Sequence, residues 1–368
     1  MAKRDKIKLT EVLKVLEEIA PTRYAESWDN VGLLVGDPSQ NISSLMLTID
    51  YTPAVADETM AKRCNFVVAY HPPIFHGMKR ITSDDLIFDA IRKNVAIYSP
   101  HTAIDVAEGG TNDLLCDILG MKDRQPLRLS ETKATQFKLV TFVPEKDLEK
   151  VSRALFEAGA GRIGNYSSCS FQIGGTGTFF GEEAAHPKVG KSGKMERVAE
   201  VRLETVVPIA RVANVIRALR ESHSYEEPAF DLNQLAAPPE GLGIGRIGTL
   251  PATSRNKIFQ QIKRGLGIHH LLISGPMTGQ ITRAAVCAGA GGDFLDDAIA
   301  QKAQLYLTGE IRHHDALKAA RAGMTVVCTL HSNSERAILK RLAAELARRL
   351  PAVKVLVSRA DRDPFAVV

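Results

Sequence analysis

The sequence predicts an α/β protein: a composite α/β domain, drawn from both halves of the chain, that an α+β module interrupts. Three observations carry this. Strand-like apolar runs alternate with helical runs over roughly the first 120 residues, the alternation changes character between about 131 and 240, and it resumes from about 245 onward. At 368 residues the chain is long enough for two or three domains, each with its own core.

Taken in order, Leu9 to Ala20 spaces its apolar residues at helical intervals, Ser44 to Asp50 reads as a buried strand, and Pro53 opens a helix that runs through Arg63. The strand Phe66 to Ala69, a helix from Asp84 to Lys93, the strand Val95 to Tyr98 and a helix from Thr111 to Leu119 follow. Repeated βα units of this kind imply a mostly parallel sheet covered by helices. In the middle region, strand Gln136 to Val143 precedes helix Glu145 to Ala158. A Gly- and Ser-rich strand stretch then spans Asn165 to Phe180, followed by strand Arg197 to Val207, helix Val212 to Ser222 and strand Tyr225 to Leu232. That β-α-β-β-α-β order predicts a ferredoxin-like insert over 131–240, with Ala236-Ala-Pro-Pro-Glu-Gly241 as its exit linker. Residues 1–130 and 241–368 then make the α/β domain, with later strands starting near His270, Arg283, Gln304, Met324 and Val353.

Composition narrows the class. Hydrophobic residues make up 45% and charged residues 24%, a globular balance that argues against disorder. The net charge of +5 is spread along the chain, enough to favour a phosphorylated small molecule and too diffuse for a nucleic-acid surface. Cys64, Cys116, Cys169, Cys287 and Cys328 are scattered without CxxC spacing, as expected of reduced core thiols in a cytoplasmic protein. The basic N-terminus leads into an amphipathic helix and not into an apolar leader, and no run approaches the ~20 apolar residues of a membrane helix.

Chemistry-bearing residues gather at strand ends. His71 follows Phe66 to Ala69, His101 and Asp105 follow Val95 to Tyr98, and His331 and Glu335 follow Met324 to Leu330. Open α/β sheets build sites at the carboxyl ends of strands, and imidazoles with carboxylates suit a divalent ion. His331 and Glu335, four apart at a helix start, can face one point. Any one of these His residues alone is more often a hydrogen-bonded structural residue; their repetition at strand ends is what favours ligation.

A second group, Thr308-Gly-Glu310-Ile-Arg-His313-His314-Asp315, sits at another strand-to-helix turn. Glu310 and His313 suit acid/base or ligand-orienting roles, although packing at a helix start explains His313 equally well and His314 better. Gly289-Ala-Gly291-Gly292 follows the strand Ala284 to Ala288, where backbone N–H groups can hold a phosphate; glycine turns there are also common for steric reasons alone. Gly243-Ile-Gly245-Arg-Ile-Gly248 matches the dinucleotide fingerprint by letter. A Pro-rich linker precedes it and Thr249-Leu-Pro251 follows in place of a helix, so the expectation is a flexible return into the main domain. His223 to Ala229 reads as a loop into the last insert strand. No nucleophile elbow or P-loop motif is present.

Five segments occur in order: Glu26-Ser-Trp-Asp-Asn-Val-Gly-Leu33, Tyr70-His-Pro-Pro-Ile-Phe75, His101-Thr-Ala-Ile-Asp105, Leu307-Thr-Gly-Glu-Ile-Arg-His-His-Asp315 and His331-Ser-Asn-Ser-Glu335. Together they resemble the Nif-three-like family, whose members are labelled GTP cyclohydrolase 1 type 2 homologs. The segments Gly161 to Tyr166 and His223 to Pro228 resemble the PII- or CutA-like insert of its longer members. The resemblance implies a dinuclear metal centre, often zinc, with manganese or iron as alternatives, inside a toroidal homohexamer. Its ligands fall on His71, Asp105, His331 and Glu335. Tyr70 departs from the two adjacent His residues of many bacterial members and resembles the eukaryotic-type branch. A phenol of pKa ~10 ligates poorly, so the expectation is one or two ions per chain.

The function implied is metal-dependent hydrolysis of a nucleotide-like small molecule, with opening of the guanine imidazole ring of GTP as the reaction the label suggests. In that reading Asp105 or Glu335 bridges the ions, His101 or His313 moves the proton, and the turn at Gly289 and Gly291 holds phosphate. The alternative is a metal-binding carrier or regulatory scaffold without turnover.

Overall fold

The computed structural model describes residues 7–130, 136–183, 190–235 and 241–367. The N-terminal residues before position 7 and most of the expected exit linker, 236–240, lie outside the described residues. The described chain divides into two compact units, one of residues 7–130 and 241–367, the other of residues 136–235.

The larger unit contains two main sheets. In the first, the strands Lys354–Val357, Ser44–Thr48, Phe66–Ala69 and Ala96–Ser99 lie side by side and parallel, with Gly32–Val35 antiparallel at the edge. Ser44–Thr48, Phe66–Ala69 and Ala96–Ser99 are buried at every position, which is why they read as unbroken apolar runs and not as alternating ones. The helix Leu9–Ile19 packs Leu9, Val12 and Leu16 against them, together with Ile338, Leu339, Leu342 and Leu346 of the helix Ile338–Arg349.

The second sheet is mixed. Its order is Leu272–Ser274, Thr325–Cys328, Leu305–Glu310, Gln280–Ala290, Gly243–Ser254 and Lys122–Leu129. Only Thr325–Cys328 with Leu305–Glu310, and Leu305–Glu310 with Gln280–Ala290, pair in parallel. Each sheet borrows from the other half of the sequence: Lys354–Val357 joins the first and Lys122–Leu129 the second.

The glycine fingerprint is part of this second sheet, which corrects the expectation of a flexible return: Gly243–Ser254 is a strand paired on both sides. A Cβ at Gly243 would fall 2.0 Å from the Arg128 carbonyl, and one at Gly248 would fall 2.5 Å from the Lys122 carbonyl. Gly245 takes φ +64 with the Val286 carbonyl 2.8 Å from a built Cβ. The glycines are there because neighbouring backbone leaves no room for side chains.

The strand also carries the buried Arg246. Its Nε donates to Asp113 Oδ1 at 2.8 Å, one terminal nitrogen to the Gly243 and Gly245 carbonyls at 2.8 Å, and the other to the Val106 carbonyl at 2.9 Å. Asn112 adds a second tie, giving Nδ2 to the Asp105 carbonyl at 3.0 Å and accepting the Ala288 N–H at 2.9 Å. These two side chains fasten the helix His101–Val106, which follows a first-sheet strand, to the second sheet.

The smaller unit has one antiparallel sheet in the order Phe230–Leu235, Gln136–Pro144, Met195–Pro208, Ser170–Phe180. The helices Leu148–Glu157 and Val212–Ser222 pack Val151, Leu155, Val215 and Leu219 on one of its faces, over Leu139, Val143, Leu203 and Val207. No helix among the described residues is long and apolar enough to cross a membrane.

Arg246→Met keeps the packed stem but leaves Asp113 without its cation and takes the guanidinium from several carbonyls. Loss of about 3–5 kcal/mol in chemical denaturation is expected; a loss under about 1 kcal/mol would show that Arg246 does not hold the two sheets together.

Candidate metal centre

The carboxyl ends of the central parallel strands of both sheets converge on one point in the larger unit. His71 lies just past Phe66–Ala69, and Asp50 just past the neighbouring Ser44–Thr48. His101 opens the helix His101–Val106 after Ala96–Ser99. From the second sheet, His331 opens the short helix His331–Glu335 after Thr325–Cys328, and Glu310 ends Leu305–Glu310.

Three of the residues named from sequence meet. One ligand atom from each of His71, His331 and Glu335 lies within 4.8 Å of the others, the single such grouping of three or more His, Cys, Asp or Glu among the described residues. His71 Nε2 is 3.1 Å from Glu335 Oε2, and His331 Nε2 is 3.3 Å from Glu335 Oε1. Each imidazole is anchored through its other nitrogen: His71 Nδ1 to Asp50 Oδ1 at 2.8 Å, and His331 Nδ1 to Glu310 Oε1 at 2.9 Å. His101 repeats the arrangement, with Nδ1 2.7 Å from Asp29 Oδ1 and its ring 5.5 Å from that of His71. A carboxylate that accepts Nδ1–H fixes ring and tautomer and leaves the Nε2 lone pair free to bind a metal, the usual outer support of a metal-bound histidine.

Two observations fit an ion at this point. His71 Nε2 and Glu335 Oε2 are buried yet neither makes a hydrogen bond of proper geometry, although buried polar atoms ordinarily find a partner. Space is also kept open: a Cβ on Gly289 would stand 2.8 Å from Glu335 Oε1 and 3.2 Å from His331 Nε2. The two-nitrogen, one-carboxylate donor set suits zinc, manganese or iron.

The backbone is strained where it delivers these groups. Leu330, immediately before His331, sits at φ 71 and ψ 153, a region open essentially to glycine, and His101 has φ 29. Gly309 allows the helix His331–Glu335 to lie close, since its Cβ would meet the Gly289 carbonyl at 2.6 Å and His331 Cα at 2.9 Å.

The electrostatics follow from burial and charge. For Glu335, burial favours the neutral acid, but His331 and His71 outweigh it and hold the carboxyl below its ordinary value. Burial also opposes a charged His71, yet Asp50 and Glu335 push it up to about 10. Glu335 raises His331 to about 9 against its burial, with help from Glu310. The facing charges thus favour the protonated form of each imidazole and the ionised form of the carboxyl.

The other named residues lie differently. Asp105 is buried and does not fall within the group of three, and the Tyr70 hydroxyl donates to its Oδ1. Thr111 Oγ1 lies 3.0 Å from the same hydroxyl. Burial and then the charge of Glu335 push Asp105 up to about 6, and burial with both carboxylates keeps the Tyr70 phenol well above its ordinary value. His313 is exposed at the start of the helix His313–Arg321, with its ring against His314. The N–H groups of Gly289 and Gly291 are taken by Ser334 Oγ at 2.8 Å and Thr308 Oγ1 at 3.1 Å, so neither is free to hold a phosphate. Asp50 and Asp29 received no role from sequence. Asp50 carries the same signal as His71, a polar residue ending a buried apolar run, whereas Asp29 is paired only by folding.

Comparison with known proteins identifies relatives along almost the whole chain. The family model described as Duf34/NIF3 (NGG1p interacting factor 3) matches residues 7–364. A Halalkalibacterium halodurans protein named GTP cyclohydrolase 1 type 2 homolog is 35% identical over 366 residues, covering 97% of this chain and 98% of its own. A Bacillus subtilis protein of the same name is 34% identical over 363 residues, with 96% and 97% covered. Among solved structures, a Bacillus cereus protein related to NIF3 is similar at TM-score 0.65 and 32% identity, covering 99% of this chain and 100% of that one. A Staphylococcus aureus protein shares the fold at TM-score 0.74 and 24% identity, over the full length of both chains.

Both imidazoles bind their protons more tightly in the folded chain than in the unfolded one. The stability they lend is complete below about pH 6.5. It is lost as pH rises through about 9 for His331 and about 10 for His71. Metal-free protein is therefore expected to melt at falling temperature from about pH 7 to about pH 10. Loading a divalent ion near neutral pH should expel close to two protons per ion, read from calorimetric heats in buffers of different ionisation enthalpy. Loading without proton release would mean that the two imidazoles are already neutral in the metal-free protein.

Proposed function

The chain belongs to the Duf34/NIF3 family, and from that premise we propose that it is a metal-dependent hydrolase of a nucleotide-like substrate. The observation that carries the reading is the group His71, His331 and Glu335, with each imidazole held by its own outer carboxylate. These three residues would hold the ion, with zinc the first candidate. A bound divalent ion supplies Lewis acidity and a water acidic enough to act as nucleophile near neutral pH.

The protein's own groups supply the rest. Asp50 and Glu310 keep the two imidazoles aimed, and Glu335 sets the charge between them. His101, tied to Asp29 through Nδ1, has its other nitrogen to hold or pass a proton beside His71. A cleft of about 930 Å³ reaches His71, with Ile74, Phe75 and Met78 as apolar wall and Arg362 among its lining. Trp28, with its ring 5.9 Å from Phe75 and 6.0 Å from His101, extends the aromatic surface toward the proton-handling side. A flat base against those rings is the part of a substrate this lining suits; a phosphate has Arg362 in the cleft, beside Asp50, Asp85 and Asp363, and the ion to meet it. The name carried by the curated relatives makes GTP the first compound to test. The toroidal homohexamer is part of the same proposal.

A second reading, a metal carrier without turnover, draws on the group of three ligands with Asp105 outside it and hydrogen-bonded to Tyr70. Transfer of bound metal to an apo-acceptor faster than release to solvent separates the two.

Glu335→Gln keeps the shape and removes the charge between the imidazoles. Bound metal is expected to fall by about tenfold or more while circular dichroism is unchanged. Metal-loaded protein should turn over GTP or another member of a nucleotide panel, and chelation should abolish it; no turnover above the metal-free control on any of them would sink the hydrolase reading. Light scattering should give six times the mass of one chain, and a smaller particle would remove the hexamer from the proposal.

A further inference from the structure

The smaller unit has a cavity of about 780 Å³ on the face of its sheet opposite the two helices. Side chains alternate along a strand, so Leu139, Val143, Leu203 and Val207 face the helices. Their neighbours Phe142, Glu200 and Arg202 face the cavity. Glycines thin the edge strand here. Gly175 pairs with Glu200 and Gly177 with Val198, and a Cβ on Gly177 would fall 2.0 Å from Glu200 Oε2. The Glu200 carboxylate thus lies in a trough that exists only because position 177 has no side chain.

Glu200 is 9% exposed, and its Oε1 accepts a hydrogen bond from the Tyr225 hydroxyl at 2.6 Å. Among the described residues it forms no ion pair with Lys or Arg. Arg202, the one cation among the described lining residues, gives its Nε to Glu204 Oε1 at 2.8 Å. A desolvated carboxylate without a cation is costly unless something supplies one. Phe142, Phe179 and Tyr225 form flat apolar walls, with the Phe179 and Tyr225 rings 6.3 Å apart. Exposed Glu226 and Glu227 add negative charge to the lining. An anion meets four carboxylates including Glu182, and a purely apolar molecule leaves Glu200 uncompensated. Metal is not indicated, because the His/Cys/Asp/Glu grouping among the described residues is confined to His71, His331 and Glu335.

We propose that this cavity is a second binding site, for a small planar aromatic ligand with a cationic or amino N–H group. The ring packs over the edge-on pair Phe179 and Tyr225, on the cavity side of both, and the N–H group pairs with Glu200. Tyr225 donates to Oε1, so Oε2 and the remaining lone pair of Oε1 are left for the ligand, an arrangement that matches two adjacent N–H donors. The site is independent of the metal centre in both residues and chemistry.

Full-length protein titrated with benzamidine tests the proposal, with benzoate as a counter-probe of the same shape and opposite charge. Saturable benzamidine binding in the millimolar range or tighter is expected, with none for benzoate. Glu200→Gln should weaken it by about tenfold or more while metal content stays unchanged. Gly177→Ala, which fills the trough, should do the same. Should either variant fail to fold, hydrogen exchange on the unsubstituted protein decides: benzamidine should protect residues 170–180 and 223–229. Equal binding of benzoate, full binding by folded Glu200→Gln, or protection elsewhere would overturn it.

Discussion

One buried carboxylate organises the candidate metal centre of the larger unit. Glu335 is 2% exposed and stands between an imidazole from each sheet, His71 from the first and His331 from the second. An isolated carboxylate at that depth would take up a proton, and it is the pair of facing imidazoles that holds it ionised. Remove the convergence of the two sheets and the charge has no reason to be there. The seam below is fastened by groups of similar kind: Arg246 spans to Asp113 and the Val106 carbonyl, and Asn112 joins the Asp105 and Ala288 backbones.

Holding that point has visible structural costs. Leu330 adopts a backbone conformation foreign to a branched side chain, and Gly289 and Gly309 give up side chains so that His331–Glu335 can sit against the strand ends. Glycine serves the same purpose at Gly243 and Gly248, where neighbouring carbonyls occupy the Cβ position, and at Gly177, where a carboxylate does. In each case a motif that looks like flexibility in the sequence is a close approach in the fold.

Outer carboxylates show why some of the centre was legible and some was not. His71, His331 and Glu335 could be named because each follows a buried apolar run, and parallel sheets place their sites at such ends. Asp50 carries the same signature at Ser44–Thr48 and belongs with them, held to His71 at 2.8 Å. Asp29 has no such signature, since it lies in an irregular segment 72 positions from its partner His101. Asp105 shows the opposite limit. Its residue type suits ligation, and the Tyr70 hydroxyl occupies one of its oxygens, a pairing visible only once the two are adjacent.

The chain by itself determined the α/β class, the position of most elements and the strand ends that carry chemistry, because hydrophobic periodicity and strand-terminal polar residues are local properties. Tertiary structure alone decided that the larger unit builds two sheets, that the glycine fingerprint is an interior strand, and that three of the expected ligands share a point while a fourth bonds to a tyrosine. Those outcomes rest on distances between residues tens to hundreds of positions apart. Only the way the helices after the first sheet's strands dock on the second sheet sets them.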